Sequence, residues 1–239
     1  STHHHQDHCD LYTVKAALQT TDCTFVGPAK TVEKLKGFEV PDGRIKTAVV
    51  GESVRFPGAE VEFLTNYDDT VIRTGDGTSR DRYENCCASF LFKTSAGNIM
   101  FLGDTWYNDA YKAIGENYQI DVAIFDMGMN APGATDKMTP YDCARLGETL
   151  RAKVLIPDHY DNWANTCSDP EMLCNQFERI VSENTPQIKT VILRPGARFI
   201  YPNDQDIKRY RYPNQSEGYN PERSVSYGEY ARKYGKKNS

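Results

Sequence analysis

Short β-branched runs alternate with longer stretches of helical periodicity along this chain. That rhythm belongs to an α/β protein and excludes an all-strand sandwich or a helical bundle. Helices are expected over residues 10–18 and 30–36, the latter closed by Gly37, and again from Thr139-Pro140 and from Asp169-Pro170. Each of those last two pairs offers a capping side chain followed by proline at the first helical position. Cys143, Leu146, Gly147 and Leu150 then recur at helical spacing and predict one buried face. Strands are expected over residues 24–26, 47–50, 53–56, 61–64, 71–73, 88–93, 98–102, 121–125 and 154–156, with a closing pair at 190–193 and 198–201. Residues 127–137, with Gly128, Pro132 and Gly133, form a loop long enough to suggest function. The chain has 239 residues and reads as one body over 1–202, followed by a polar, tyrosine-rich extension over 203–239.

Charge narrows the choice of partners. The net charge is −5, but residues 207–239 hold eight Lys/Arg against three Glu, or +5, which leaves −10 on the rest. An acidic body argues against nucleic acid as a partner. The sequence has no apolar run near 18 residues and no basic stretch leading into an apolar one, so neither a membrane span nor a secretion signal is expected. Its seven cysteines are odd in number and lack C-x-x-C spacing. Reduced thiols and a cytoplasmic address follow as expectations.

Histidine is distributed more unevenly still. Four of the five, His3, His4, His5 and His8, lie in the first eight residues, and the fifth is His159. A purification tag would produce such a cluster, but Gln6 and Asp7 interrupt it and a helical pattern follows at once. In an extended segment residues two apart face the same way, so His3 and His5 can serve one cation while Asp7 and His8, in the turn beyond, reach a second. Imidazole and carboxylate without thiolate suit Zn, Fe, Mn or Ni in a non-structural site. Asp104 in FLGDTW and His159 in LIPDHYD stand just past predicted strand ends, where open α/β sheets gather ligands.

The pattern H-x-H-x-D-H, then Gly-Asp after a strand, then His after a later strand resembles that of the metallo-β-lactamase superfamily. The stretches THHHQDHCD, FVGPAKTV, FLFKTSAGNIMFLGDTWY, GATDKMTPYD and AKVLIPDHYDNW are similar to those of the L-ascorbate-6-phosphate lactonase family, from Thr2 to about Pro202. The resemblance implies an αββα sandwich, a cytoplasmic hydrolase using one or two Mn or Zn ions, and opening of a phosphorylated sugar lactone by a metal-held hydroxide. It assigns His3 and His5 to a first metal, Asp7 and His8 to a second, Asp104 to a bridge between them and His159 to the second site. The family pattern has a further histidine before the Gly-Asp, which this sequence lacks. Asp68 in FLTNYDDT is the expected replacement, ahead of Asn66 and Asp69, and a carboxylate there shifts preference toward Mn or Mg. The family also carries a half-sandwich of strands ahead of the histidine motif, so an N-terminal portion is expected to be missing.

Asp7 is the candidate to orient the nucleophile or carry its proton. Lys137, Asn130 and Trp163 are candidates for the phosphorylated end of the substrate, and a homo-oligomer is compatible with the sequence. Two other functions stay open: a phosphodiesterase or nuclease on the same scaffold, and a truncated metal-binding protein without catalysis.

Overall fold

The computed structural model describes residues 1–73, 82–130, 137–161, 169–193 and 197–205. Helix α1 (Leu11–Thr20) starts on Asp10, whose carboxylate accepts from the amides of Tyr12 and Thr13. Strand β1 (Phe25–Gly27) leads into α2 (Ala29–Gly37), and β2 (Ile45–Thr47) pairs in parallel with β1 as a small sheet. Next come β3 (Ser53–Phe56), β4 (Ala59–Leu64), the short helices α3 (Asp69–Arg73) and α4 (Tyr83–Cys86), then β5 (Ser89–Thr94) and β6 (Asn98–Phe101). The chain continues through α5 (Tyr111–Asn117), β7 (Val122–Asp126), α6 (Pro140–Thr149), β8 (Val154–Asp158), α7 (Pro170–Asn184) and β9 (Lys189–Thr190). Strands β3 to β9 form one seven-stranded sheet in sequence order. Its pairs are antiparallel from β3 to β6 and parallel from β6 to β9.

Side chains alternate across the parallel half as the pleat requires. Val122, with Ile124 beside it, packs with Val154, Ile156 and Val191 in one cluster. Phe125 meets Phe177 of α7 edge to face, ring centroids 5.9 Å apart. Thr139 caps α6 through the amide of Asp142, and Cys143, Leu146, Gly147 and Leu150 are all buried, the face their spacing predicts. Among the described residues no helix is long and apolar enough to cross a membrane, and Cys9, Cys23, Cys86, Cys87, Cys143 and Cys174 are free thiols.

Three expected strands differ. Residues 71–73 lie in α3, because the Asp68 carboxylate accepts the Val71 amide at 3.0 Å and starts a helical turn. Strand β2 covers Ile45–Thr47 rather than 47–50; Ala48 still bonds Gly27 at 2.8 Å, and the chain then turns at Gly51, whose φ is 89°. Of the closing pair only β9 forms, since Ile200 turns locally onto Asp204 by two hydrogen bonds of 2.6 and 2.8 Å. The extension expected from 203 lies outside the described residues beyond 205.

Asp121, just ahead of β7, ties together the starts of the neighbouring strands β6 and β8. Its carboxylate accepts from Asn98 N at 2.8 Å, Lys153 Nζ at 2.7 Å, Gln119 Nε2 at 3.1 Å and the Tyr201 hydroxyl at 3.2 Å. Burial opposes ionisation, but the bonds from Lys153, Asn98 and Gln119 outweigh it and lower the pKa. A carboxyl lowered in the folded state adds stability above its unfolded pKa and loses it as pH falls through the folded value. Asp121→Asn is therefore expected to cost about 1.5–3 kcal/mol at pH 7. Urea unfolding should show the gap to wild type closing below about pH 4; a gap that stays constant with pH would refute the charge-based account.

Candidate metal centre

The histidine motif is held to the sheet before it turns. Thr2 O accepts Ala88 N at 2.9 Å, and His3 forms an antiparallel bridge with Cys87, just ahead of β5. His5 O then accepts from the amides of both His8 and Cys9, a tight turn that ends on the Asp10 cap of α1. The extended part thus presents His3 and the turn presents His5, Asp7 and His8.

Other loops supply the remaining groups. Asp104 follows β6 after Gly103, Asp126 ends β7, and His159 follows Asp158 at the end of β8. Because β6, β7 and β8 are parallel, these three ends lie side by side, with Asp126 in register with Asp158. Asp68 enters from the segment after β4. Two groups result: His3, His5 and Asp68 in one, and Asp7, His8, Asp104 and His159 in the other, each with ligand atoms within 4.8 Å of one another. The groups adjoin, since the rings of His3 and His8 are 4.1 Å apart.

In the second group Asp104 Oδ1 lies 3.3 Å from His8 Nε2 and 3.2 Å from His159 Nε2, and those two nitrogens are 3.1 Å apart. Asp7 Oδ2 is 3.6 Å from His8 Nε2, with the Asp7 side chain 63% exposed. His159 Nδ1 meets Asp158 Oδ1 at 3.0 Å, the carboxylate–imidazole pairing that orients a ligand histidine. His159 also adopts φ 59°, a left-handed conformation uncommon outside glycine. In the first group His3 Nδ1 bonds Thr2 Oγ1 at 3.2 Å. Its Nε2, fully buried, has no hydrogen-bond partner among the described residues and lies 3.8 Å from Asp68 Oδ2. A buried imidazole nitrogen left bare while its twin is engaged is what a cation ligand requires. The donor set therefore fits divalent cations.

The electrostatics of His3 agree. Burial, with the His8 charge adding to it, drives the His3 pKa well down and keeps its ring neutral, the form that ligates. Burial would raise the Asp104 carboxyl, but the hydrogen bond from His8 and the charges of His159 and Lys137 hold it well below the usual carboxylate range. Burial and the Asp104 charge together push Asp126 well above that range.

A family model described as a beta-lactamase superfamily domain matches residues 1–160. The chain belongs to the β-lactamase superfamily. The probable L-ascorbate-6-phosphate lactonase UlaG of Escherichia coli O139:H28 (strain E24377A / ETEC) is 34% identical over 221 residues, covering 89% of this chain and 62% of that protein. The chain thus spans less than two thirds of the length of this relative. Two solved structures share the fold. Igni18, a metallo hydrolase from Ignicoccus hospitalis KIN4/I, superposes with a TM-score of 0.63 at 19% identity over 82% of this chain and 75% of its own. The isothiocyanate hydrolase from Delia radicum gut bacteria gives 0.58 at 15% over 84% and 74%.

This β-lactamase superfamily chain brings together every ligand candidate the sequence singled out: His3, His5, Asp7, His8, Asp68, Asp104 and His159. The structure adds contacts that the sequence did not show. Asp104, the expected bridge between two ions, receives the Lys137 ammonium on Oδ2 at 2.5 Å while Oδ1 faces His8 and His159. Lys137, the expected phosphate contact, is 5% exposed and directed at Asp104, because a buried ammonium needs a counter-charge. Asn130 is bonded to Lys137: its amide accepts Lys137 N at 2.9 Å and donates to Lys137 O at 3.1 Å. Of the weaker alternatives to Asp68, Asn66 bonds Leu102 O at 2.6 Å and Asp69 accepts the Tyr83 hydroxyl. Trp163 lies outside the described residues. Sequence reasoning missed Asp126, Asp158 and Thr105. Only Asp158 carried a signal, an acid directly before the candidate ligand His159.

Proposed function

We propose that the protein containing this chain is a metal-dependent hydrolase that opens a phosphorylated sugar lactone, using one or two Mn or Zn ions, in the cytoplasm. The observation carrying the reading is the convergence of two imidazole–carboxylate groups at the ends of parallel strands. The lactone class is supported by the likeness to the E. coli lactonase, and the cytoplasmic address by the free thiols. Bound divalent ions would supply Lewis acidity that polarises an ester carbonyl and acidifies water. His3, His5 and Asp68 would hold one ion, and His8, Asp104 and His159 the other. Asp158 orients the His159 ring, and Lys137 balances the Asp104 charge from behind. Asp7, the most exposed carboxylate of the set, would take a proton from the attacking water and return it to the leaving alkoxide.

The test uses the natural full-length protein loaded with Mn or Zn, offered L-ascorbate 6-phosphate, an unphosphorylated lactone and a phosphodiester while acid release is followed. Turnover of the phosphorylated lactone is expected, with Asp7→Asn lowering kcat by about 10²–10⁴-fold. Hydrolysis of the phosphodiester alone would replace this reading by a phosphodiesterase, and no hydrolysis at all would leave a metal-binding protein.

A further inference from the structure

Asp68 and Asp104 reach the centre on separate segments, one following β4 and the other following β6. Between those segments stands the Thr105 hydroxyl. Thr105 Oγ1 accepts the Tyr67 amide at 3.3 Å, and Trp106 N returns to Tyr67 O at 3.0 Å, so the segments are paired one residue from each carboxylate. The same oxygen shares a 2.7 Å hydrogen bond with Tyr111 OH and lies 3.2 Å from Trp106 O. A hydroxyl has one proton and two lone pairs. Donation to Trp106 O and acceptance from Tyr67 N and Tyr111 OH use all three. The Thr105 amide is fixed as well, donating to Asp126 Oδ1 at 3.1 Å. Thr105 and Tyr111 are fully buried, so water cannot replace a lost partner without rearrangement.

We propose that Thr105 is a positioning residue that couples the two ligand groups, setting the separation of Asp68 from Asp104 and so linking the affinities of the two ions. It acts through Tyr67 and the backbone and touches neither ion nor substrate. The inference rests on the metal-centre reading above.

Calorimetric titration of metal-free full-length protein with Zn²⁺ alone, and separately with Mn²⁺ alone, tests both. Wild type is expected to take up two ions. Thr105→Val keeps the shape and removes the hydroxyl, and should weaken the second ion by about 10–100-fold. Thr105→Ser restores the hydroxyl and should return the affinity to within a few-fold of wild type. Tyr111→Phe, which removes one of the three bonds, should shift it in the same direction by less, and serves if Thr105→Val does not fold. A purely structural threonine would lower the Tm of the metal-free protein while leaving both dissociation constants alone. Wild-type affinities in Thr105→Val, or in Tyr111→Phe should the first variant not fold, overturn the coupling role, as does uptake of a single ion by wild type. Wild type that binds no ion overturns the metal-centre reading itself, a result distinct from either.

Discussion

Asp104→Ala is expected to lower stability by about 3–5 kcal/mol, the cost of breaking a buried ion pair from one side. The pair is with the Lys137 ammonium, 5% exposed and bonded to Asp104 at 2.5 Å. The same substitution removes the acidic centre between His8 and His159, 3.3 and 3.2 Å away, so uptake of the ion proposed for His8, Asp104 and His159 should be lost as well. Asp104→Asn separates the two effects, because an amide oxygen still accepts from Lys137 while the negative charge is gone. It should fold better than the alanine variant and still bind metal at least about a hundredfold more weakly. Thermal unfolding with and without chelator, and metal content after dialysis, are the measurements. An alanine variant with wild-type Tm in chelator would show that the Lys137 pair is not structural, and full metal content would remove Asp104 from the centre.

Gly103→Ala is expected to cost about 2–5 kcal/mol, from two additive causes. Gly103 has φ 71°, where an L side chain costs about 1–2 kcal/mol. An added Cβ would also lie 2.5 to 2.8 Å from the Thr2 side chain, an overpacking worth about 1–3 kcal/mol. Thr2 cannot shift freely, since its hydroxyl bonds His3 Nδ1 and its carbonyl accepts Ala88 N. The clash therefore propagates to His3, and metal affinity should fall together with stability. Gly58→Ala is the control: its φ is 84°, but nothing lies within 4 Å of an added Cβ, so it carries the backbone strain alone. Equal losses of stability for the two variants, measured by urea unfolding, would show that the Thr2 contact has slack.

The candidate ligands could be picked out of the sequence because the histidine motif is a short local pattern and the rest match stretches of the family that the sequence resembles. An extended run places His3, a tight turn follows, and Asp10 caps the helix beyond. Asp104 and His159 could be found since each follows a strand whose β-branched residues announce it. Asp68 was nominated because FLTNYDDT occupies the stretch where the family that the sequence resembles has a further histidine; its carboxylate also caps α3, which ends the strand reading at Val71. Helix α5 went unread, so the Tyr111 hydroxyl that meets Thr105 was out of view.

By itself the sequence determined which side chains can bind a cation, and where the helices holding them in place begin, because caps, turns and periodicities are contacts between residues close along the chain. The tertiary structure alone decided what those side chains face: Lys137 on Asp104 across 33 residues, Thr105 on Tyr67 across 38, and His159 on His8 across 151. A buried charge or hydroxyl takes whichever partner packing brings within reach of it. That choice depends on how strands β4, β6 and β8 lie in one sheet, and spacing along the chain does not encode it.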